Sequence, residues 1–204
     1  LPDDERRLEH FSVKEAVMPF GRFPGADVVL GPEMKSTGEV MGIARNFPAA
    51  YAKTQLAISY ELPQEGTVFI SVCDRDKRSI IPIARDIARL GFKIVATSGT
   101  ERALSAAGID CELVKKVREG SPNVIDRIAS GEVTLMINTP FGHETRSDGY
   151  ELRAAAVRHG LTYVTTLSAA QAFVAGMEVS REAGFDVVAL QDLPQWEPPA
   201  AAAR

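Results

Sequence analysis

Lys93-Ile94-Val95-Ala96-Thr97-Ser98-Gly99-Thr100 reads as a short buried strand, a hydroxyl-rich turn and the entry to a helix at Glu101. The β-branched residues favour a strand. Gly99 lets the backbone turn where a side chain would clash, and Thr100 is placed to cap the following helix. A helix N-terminus offers unused N–H groups and partial positive charge, so an anion fits there. Thr97, Ser98 and Thr100 add hydroxyl donors. Two readings stay open at this point: a phosphate cradle, or a capped strand-to-helix turn that holds nothing. The pattern around the stretch weighs between them.

On its C-terminal side the alternation is regular. Strands are expected over 67–73, 93–97, 111–116, 133–138 and 162–166. Helices fall between them over 77–90, 101–107, 122–129 and 149–159, with a last one to about 183. Asp76 and Ser168 are placed to cap the first and last, Pro82 should bend the first turns of the 77–90 helix, and Gly91, Gly108, Gly131 and Gly160 read as stops. Strands alternating with helices at this spacing predict a Rossmann-like α/β fold, a parallel five-stranded sheet with helices on both faces. Such sheets bind ligands at the carboxyl ends of their strands. Ser71 and Lys77 follow the first strand, and Thr97 to Thr100 the second. Lys115 and Lys116 end the third, Asn138 and Thr139 the fourth, Thr165 and Thr166 the fifth. All fall on one edge of the sheet. Two lysines neutralise a phosphate well, and Asn138 suits a base or a ribose. An anionic small molecule is thus the preferred occupant. The alternative is that loops are polar and lysines solvated in any case.

On the N-terminal side the pattern is different. Residues 12–20 alternate like a strand, 21–25 read as a turn or loop, and 31–42 are rich in glycine and polar groups. Asn46 can cap a helix through Ala49, Ala50, Lys53 and Leu56, with Pro48 in its first turn. Residues 1–62 hold too little apolar material for a core of their own and should dock on a neighbour. The polar stretch 61–66 is the boundary. The expected division is 1–62, 63–193 and a mobile Pro/Ala tail over 194–204. The lack of a starting Met suggests a piece of a longer chain.

Composition excludes several classes. The chain has 204 residues and a formal charge of −4, which argues against nucleic acid as the main partner. No apolar run is long enough to span a bilayer, and the acidic N-terminus is no signal peptide. Cys73 and Cys111 sit in apolar runs and read as buried free thiols of a reducing, cytoplasmic compartment.

A resemblance sharpens this reading. Gly31-Pro32-Glu33-Met34-Lys35-Ser36-Thr37-Gly38-Glu39-Val40-Met41-Gly42, with Val13-Lys14-Glu15 and Phe23-Pro24-Gly25 before it, resembles the end of the second ATP-grasp half of carbamoyl-phosphate synthase large subunits. The rest of the chain resembles that family's C-terminal regulatory domain, of methylglyoxal-synthase-like fold. Asp76-Lys77, Ala96-Thr97-Ser98-Gly99-Thr100, Val114-Lys115-Lys116-Val117, Ile137-Asn138-Thr139 and Thr165-Thr166-Leu167 carry that likeness. The resemblance implies a parent ligase that uses ATP with Mg2+ (or Mn2+) and K+, bicarbonate, and ammonia from a glutaminase small subunit, for pyrimidine and arginine synthesis. It implies a non-catalytic domain with no cofactor of its own, binding UMP- or IMP-type nucleotides, with a homo-oligomer as one option. By the same resemblance the phosphate would meet Lys77, Thr97, Gly99, Thr100 and Lys116. Ser71, Asn138 and Asp148 would face ribose or base, and ornithine would meet Glu15, Tyr163 and Thr165. Pro140 and the 141–147 loop depart from the family pattern. The competing reading is a methylglyoxal synthase acting on dihydroxyacetone phosphate, for which Asp148 and His143 are the nearest candidates; the Gly-Gly-Asp loop of that family is missing from the sequence.

Overall fold

The structure, a computed structural model, describes residues 10–17, 38–60, 62–139, 144–182, 184–189 and 191–192, with side chains of the 144–158 helix described from 149 onward. Five strands make the parallel sheet: β3 (Thr67–Val72), β4 (Lys93–Ala96), β5 (Glu112–Leu113), β6 (Val133–Thr139) and β7 (Thr162–Val164), in the order β5-β4-β3-β6-β7. The chain starts at the middle strand, winds outward to β5, then returns to the other side of β3 for β6 and β7. The carboxyl ends of β3, β4 and β6 therefore border the point where the winding reverses, which opens a crevice.

Helices cover both faces. Val68, Ile70 and Val72 on β3 point into one core with Ile83 and Ile87 of α2 (Ile80–Arg89), Leu104 of α3 (Ser98–Ala106) and Phe173 of α6 (Leu167–Glu182). Phe69 points the other way, to Val124 and Ile128 of α4 (Val124–Ala129) and Leu152 and Ala156 of α5 (Glu144–Arg158). This is the two-residue period of a strand buried on both sides. The expected α/β fold with helices on both faces is the one observed.

Several boundaries move for physical reasons. The helix expected from Lys77 starts at Ile80; Asp74–Asp76 form a 3-10 turn instead, so Asp76 is no helix cap. Pro82 is the third residue of α2, a first-turn position where its missing N–H costs no intrahelical hydrogen bond. α3 starts at Ser98 with Thr97 as its cap position, ahead of Thr100. The last helix is capped by Thr166, whose hydroxyl accepts from Ala169 N at 3.2 Å, and not by Ser168. The third strand shrinks to two residues because β4 ends at Ala96, leaving pairing only for Glu112 and Leu113. Both cysteines are free thiols, half-buried rather than buried; burial, with Glu101, Asp110 and Glu112 nearby, pushes the Cys111 thiol up to about 12.

The N-terminal segment is a small unit docked on the sheet domain. β1 (Phe11–Val17) and β2 (Gly38–Ala44) pair antiparallel, and α1 (Phe47–Ala57) packs across them. α1 also lies against α6, where Ala52 joins the larger core cluster. Asn46 caps α1 as expected, its side chain accepting from Ala49 N at 2.8 Å. Asn46→Ala should cost about 1 kcal/mol, the usual value of an N-cap. Chemical denaturation checks this, and an unchanged midpoint would mean α1 is held by packing alone.

Candidate functional site

The cleft at the reversal point has a volume of about 490 Å³ and is lined by the ends of β3, β4 and β6 and the turns after them. Register explains why polar groups converge there. Ser71 pairs with Asn138 and Val72 with Thr139, so two polar strand ends from β6 meet the end of β3. On the other side Ile70 pairs with Ala96, which places Thr97 beside Ser71. Their hydroxyl oxygens are 3.2 Å apart.

Two threonines anchor the turn after β3. Val72 N donates to Thr100 Oγ1 at 3.1 Å, and Cys73 N donates to Thr139 Oγ1 at 3.2 Å. The Cys73 thiol donates to Asp76 Oδ2 at 3.1 Å. With this backbone pinned, the 3-10 turn delivers Lys77 across the start of α3. The Lys77 ammonium sits over Gly99: a methyl group there would lie 2.8 Å from Nζ and 3.4 Å from Cε. A side chain at this position would push the ammonium away from the turn. The amides of Thr100 and Glu101 close onto the Thr97 carbonyl at 2.8 Å each. Those of Ser98 and Gly99 are left as donors the helix cannot use internally. Thr97, Gly99 and Lys77 line one end of the cleft at the N-terminus of α3, a setting that suits an oxyanion.

Lys77 is shared with Asp74, whose carboxylate bridges it at the mouth of the cleft with 94% of its side chain exposed. A hydrogen bond from Lys77, and its charge, hold the Asp74 carboxyl below its usual range. Lys116 also lines the cleft, from an exposed position, whereas Lys115 does not.

Seven of the eight residues expected to face phosphate, ribose or base line this cleft: Ser71, Lys77, Thr97, Gly99, Thr100, Lys116 and Asn138. Thr100 is 1% exposed with its hydroxyl engaged by the Val72 amide, so its clear task is to tie α3 to β3. The Asp148 side chain, Pro140 and residues 141–143, including His143, lie outside the described residues. Thr139, expected at the end of the fourth strand, also lines the cleft; Asp74, Gly149 and Arg153 were not singled out as site residues by sequence reasoning. A signal existed for Arg153. It lies one residue after Leu152 and three before Ala156 on the buried face of α5, at a spacing that places an arginine inside.

A second polar cluster lies where the N-terminal unit meets the sheet domain. Glu15 Oε2 accepts from Thr54 Oγ1 at 2.7 Å and from Gln55 Nε2 at 2.5 Å. Burial pushes the Tyr60 phenol up; its hydrogen bond with Tyr163 works against this, and the Glu15 charge adds to it. Burial first, then the Glu15 and Tyr60 charges, raise Tyr51 as well. Tyr60 thus interacts with both Glu15 and Tyr163, two of the three residues expected to face ornithine, and its ring lies 6.3 Å from that of Tyr163. Thr165 lies just after β7 and is half-buried. Among the described residues, no helix is long and apolar enough to cross a membrane.

Comparison with known proteins identifies relatives of this chain. Residues 79–165 match the family model described as MGS-like domain. The chain is 55% identical over 190 residues to a "Carbamoyl phosphate synthase large chain, C-terminal section" of Methanopyrus kandleri, a match covering 92% of this chain and 35% of that protein. It is 46% identical over 188 residues to a "Carbamoyl phosphate synthase large chain" of Myxococcus xanthus, covering 92% of this chain and 17% of that one. A solved methylglyoxal synthase from Elizabethkingia anophelis NUHP1 aligns with a TM-score of 0.48 at 14% identity, over 68% of this chain and 96% of that structure. The chain spans about a third of the C-terminal-section relative and less than a fifth of the full-length one. The sequence matches place the chain in the carbamoyl phosphate synthase large-chain family, where it corresponds to the C-terminal part with its MGS-like domain.

Proposed function

We propose that this chain is the effector-binding part of a carbamoyl phosphate synthase large chain and does no chemistry of its own. A nucleoside monophosphate of UMP or IMP type binds in the cleft. It acts on an ATP-dependent ligase that makes carbamoyl phosphate from bicarbonate and glutamine-derived ammonia in the cytoplasm. The observation that carries this reading is the ammonium of Lys77 held over Gly99 at the N-terminus of α3, at the reversal point of a parallel sheet. In this reading the phosphate takes the amides of Ser98 and Gly99, the Thr97 hydroxyl and Lys77, with Lys116 approaching from the rim. The nucleoside lies along Ser71 and Asn138 toward Asp148. Glu15, Tyr163 and Thr165 receive ornithine, completed by residues outside this chain.

An effector changes activity only by binding two states of the enzyme with different affinity. The N-terminal unit is packed on α6, so it supplies a physical connection between this domain and its catalytic neighbour. The test is calorimetric titration of the chain with UMP, IMP and ornithine separately. One monophosphate is expected to bind with one site per chain; heat from neither would overturn the proposal. Turnover of dihydroxyacetone phosphate would replace it with an enzymatic reading.

Asp74 supplies a smaller prediction. Any dianion entering the cleft must share Lys77 with a carboxylate already there. Asp74→Asn removes this competing charge and should tighten the monophosphate by a few-fold, the modest effect of an exposed charge. The gain should shrink with added salt. Equal affinity in wild type and Asp74→Asn would show that the exposed carboxylate swings clear at no cost.

A further inference from the structure

We propose that Arg153 is a positioning residue of the cleft. Seated on the bare backbone of Gly149, its guanidinium holds the Asn138 amide in the orientation that the nucleoside end of the ligand meets. The inference rests on reading the cleft as a nucleotide site. Three observations carry it. Arg153 is 1% exposed, and a fully buried cation is costly unless its surroundings use it. Its Nη1 lies 3.5 Å from Asn138 Oδ1, and Asn138 Nδ2 donates to Ser71 O at 3.2 Å. A guanidinium only donates, so the oxygen end of the amide must face it and the nitrogen end must face the Ser71 carbonyl. The amide is fixed from both sides, at the edge of the cleft that it lines.

Gly149 is the third observation. It lies inside the fifteen residues of α5, where glycine is a poor choice. A Cβ on it would lie 2.7 Å from Arg153 Nη1 and 3.6 Å from Asn138 Oδ1. Even a methyl group would intrude beside the contact between guanidinium and amide oxygen. The glycine thus has a reason: it makes room for the arginine to reach Asn138.

The informative variant is Gly149→Ala. Alanine is the better helix former, so a purely structural glycine would leave binding unchanged and thermal stability equal or higher. If instead the residue seats Arg153, affinity for UMP or IMP, whichever the wild type binds, should fall about five- to twentyfold, as expected on losing a hydrogen-bonding partner, with the melting temperature not lowered to match. Arg153→Gln should show the same loss. Both losses should vanish in an Asn138→Ala background, because the effect runs through that amide. Should Arg153→Gln fail to fold, Gly149→Ala with and without Asn138→Ala decides alone. Wild-type affinity in Gly149→Ala, or a loss of the same size in the Asn138→Ala background, would overturn the inference. It would leave the cleft reading intact, provided Lys77→Ala still weakens binding. No monophosphate binding by the wild type would overturn both.

Discussion

Lys77→Ala should weaken binding of the proposed monophosphate by about 1–3 kcal/mol, the loss expected for a charge-assisted contact and roughly five- to 150-fold in affinity. The size comes from where the ammonium lies. It is drawn back over Gly99, with its side chain 28% exposed, so solvent screens it less than a surface lysine. The variant also leaves Asp74 behind. Its carboxylate would then face the phosphate with no cation between them, which pushes the loss toward the upper end of the range. Lys115→Ala is the control, since Lys115 is exposed and does not line the cleft. It should change affinity by less than about twofold, the size of a screened surface charge. Equal losses in the two variants would reduce the role of Lys77 to general surface charge.

How far the site could be read in advance depended on whether a residue's role is set by strand order or by packing. Ser71, Lys77, Thr97, Gly99 and Asn138 all obey one rule: polar residues at the carboxyl ends of neighbouring parallel strands meet in the crevice. A strand-helix count is enough to apply it. For Arg153 the spacing on α5 hinted at burial, but its contact with Asn138 needed the packed structure, because an arginine in a helix otherwise reads as solvated. The stops at Gly91 and Gly131 were readable because a left-handed residue after a helix favours glycine, and their φ values are +82° and +75°. α5 was misjudged by five residues at its start for the converse reason. Gly149 reads as a breaker, and its role in seating a side chain becomes visible only in three dimensions. β2 was missed as a strand because Gly38, Glu39 and Gly42 blur the two-residue alternation. That strand is held by pairing with β1 and by α1 lying across it, both tertiary effects.

Gly42→Ala is the stability counterpart and should cost about 3 kcal/mol, the upper end of the usual range for overpacking. Gly42 is buried where β2 passes under α1. A Cβ there would lie 2.1 Å from the Ala50 carbonyl oxygen and 3.1 Å from Lys53 Cβ. The obstacle is mainly helix backbone, so no side-chain rotation relieves it and α1 must move as a body. Its other side is closed too: a Cβ built on Gly176 of α6 would lie only 3.2 Å from Ala52 Cβ. With β2 pressing from one face and α6 close on the other, the strain should appear as undocking of residues 38–60. Limited proteolysis should then cut Gly42→Ala around the Asn46 turn faster than wild type, alongside a lowered denaturation midpoint. Monophosphate affinity should hold, because every residue lining the cleft, from Ser71 to Leu152, belongs to the sheet domain. A stability unchanged within about 0.5 kcal/mol, the ordinary spread for a neutral substitution, would mean that β2 and α1 already separate freely in solution. The proposed mechanical link from the cleft to a catalytic neighbour would then have to run by another route.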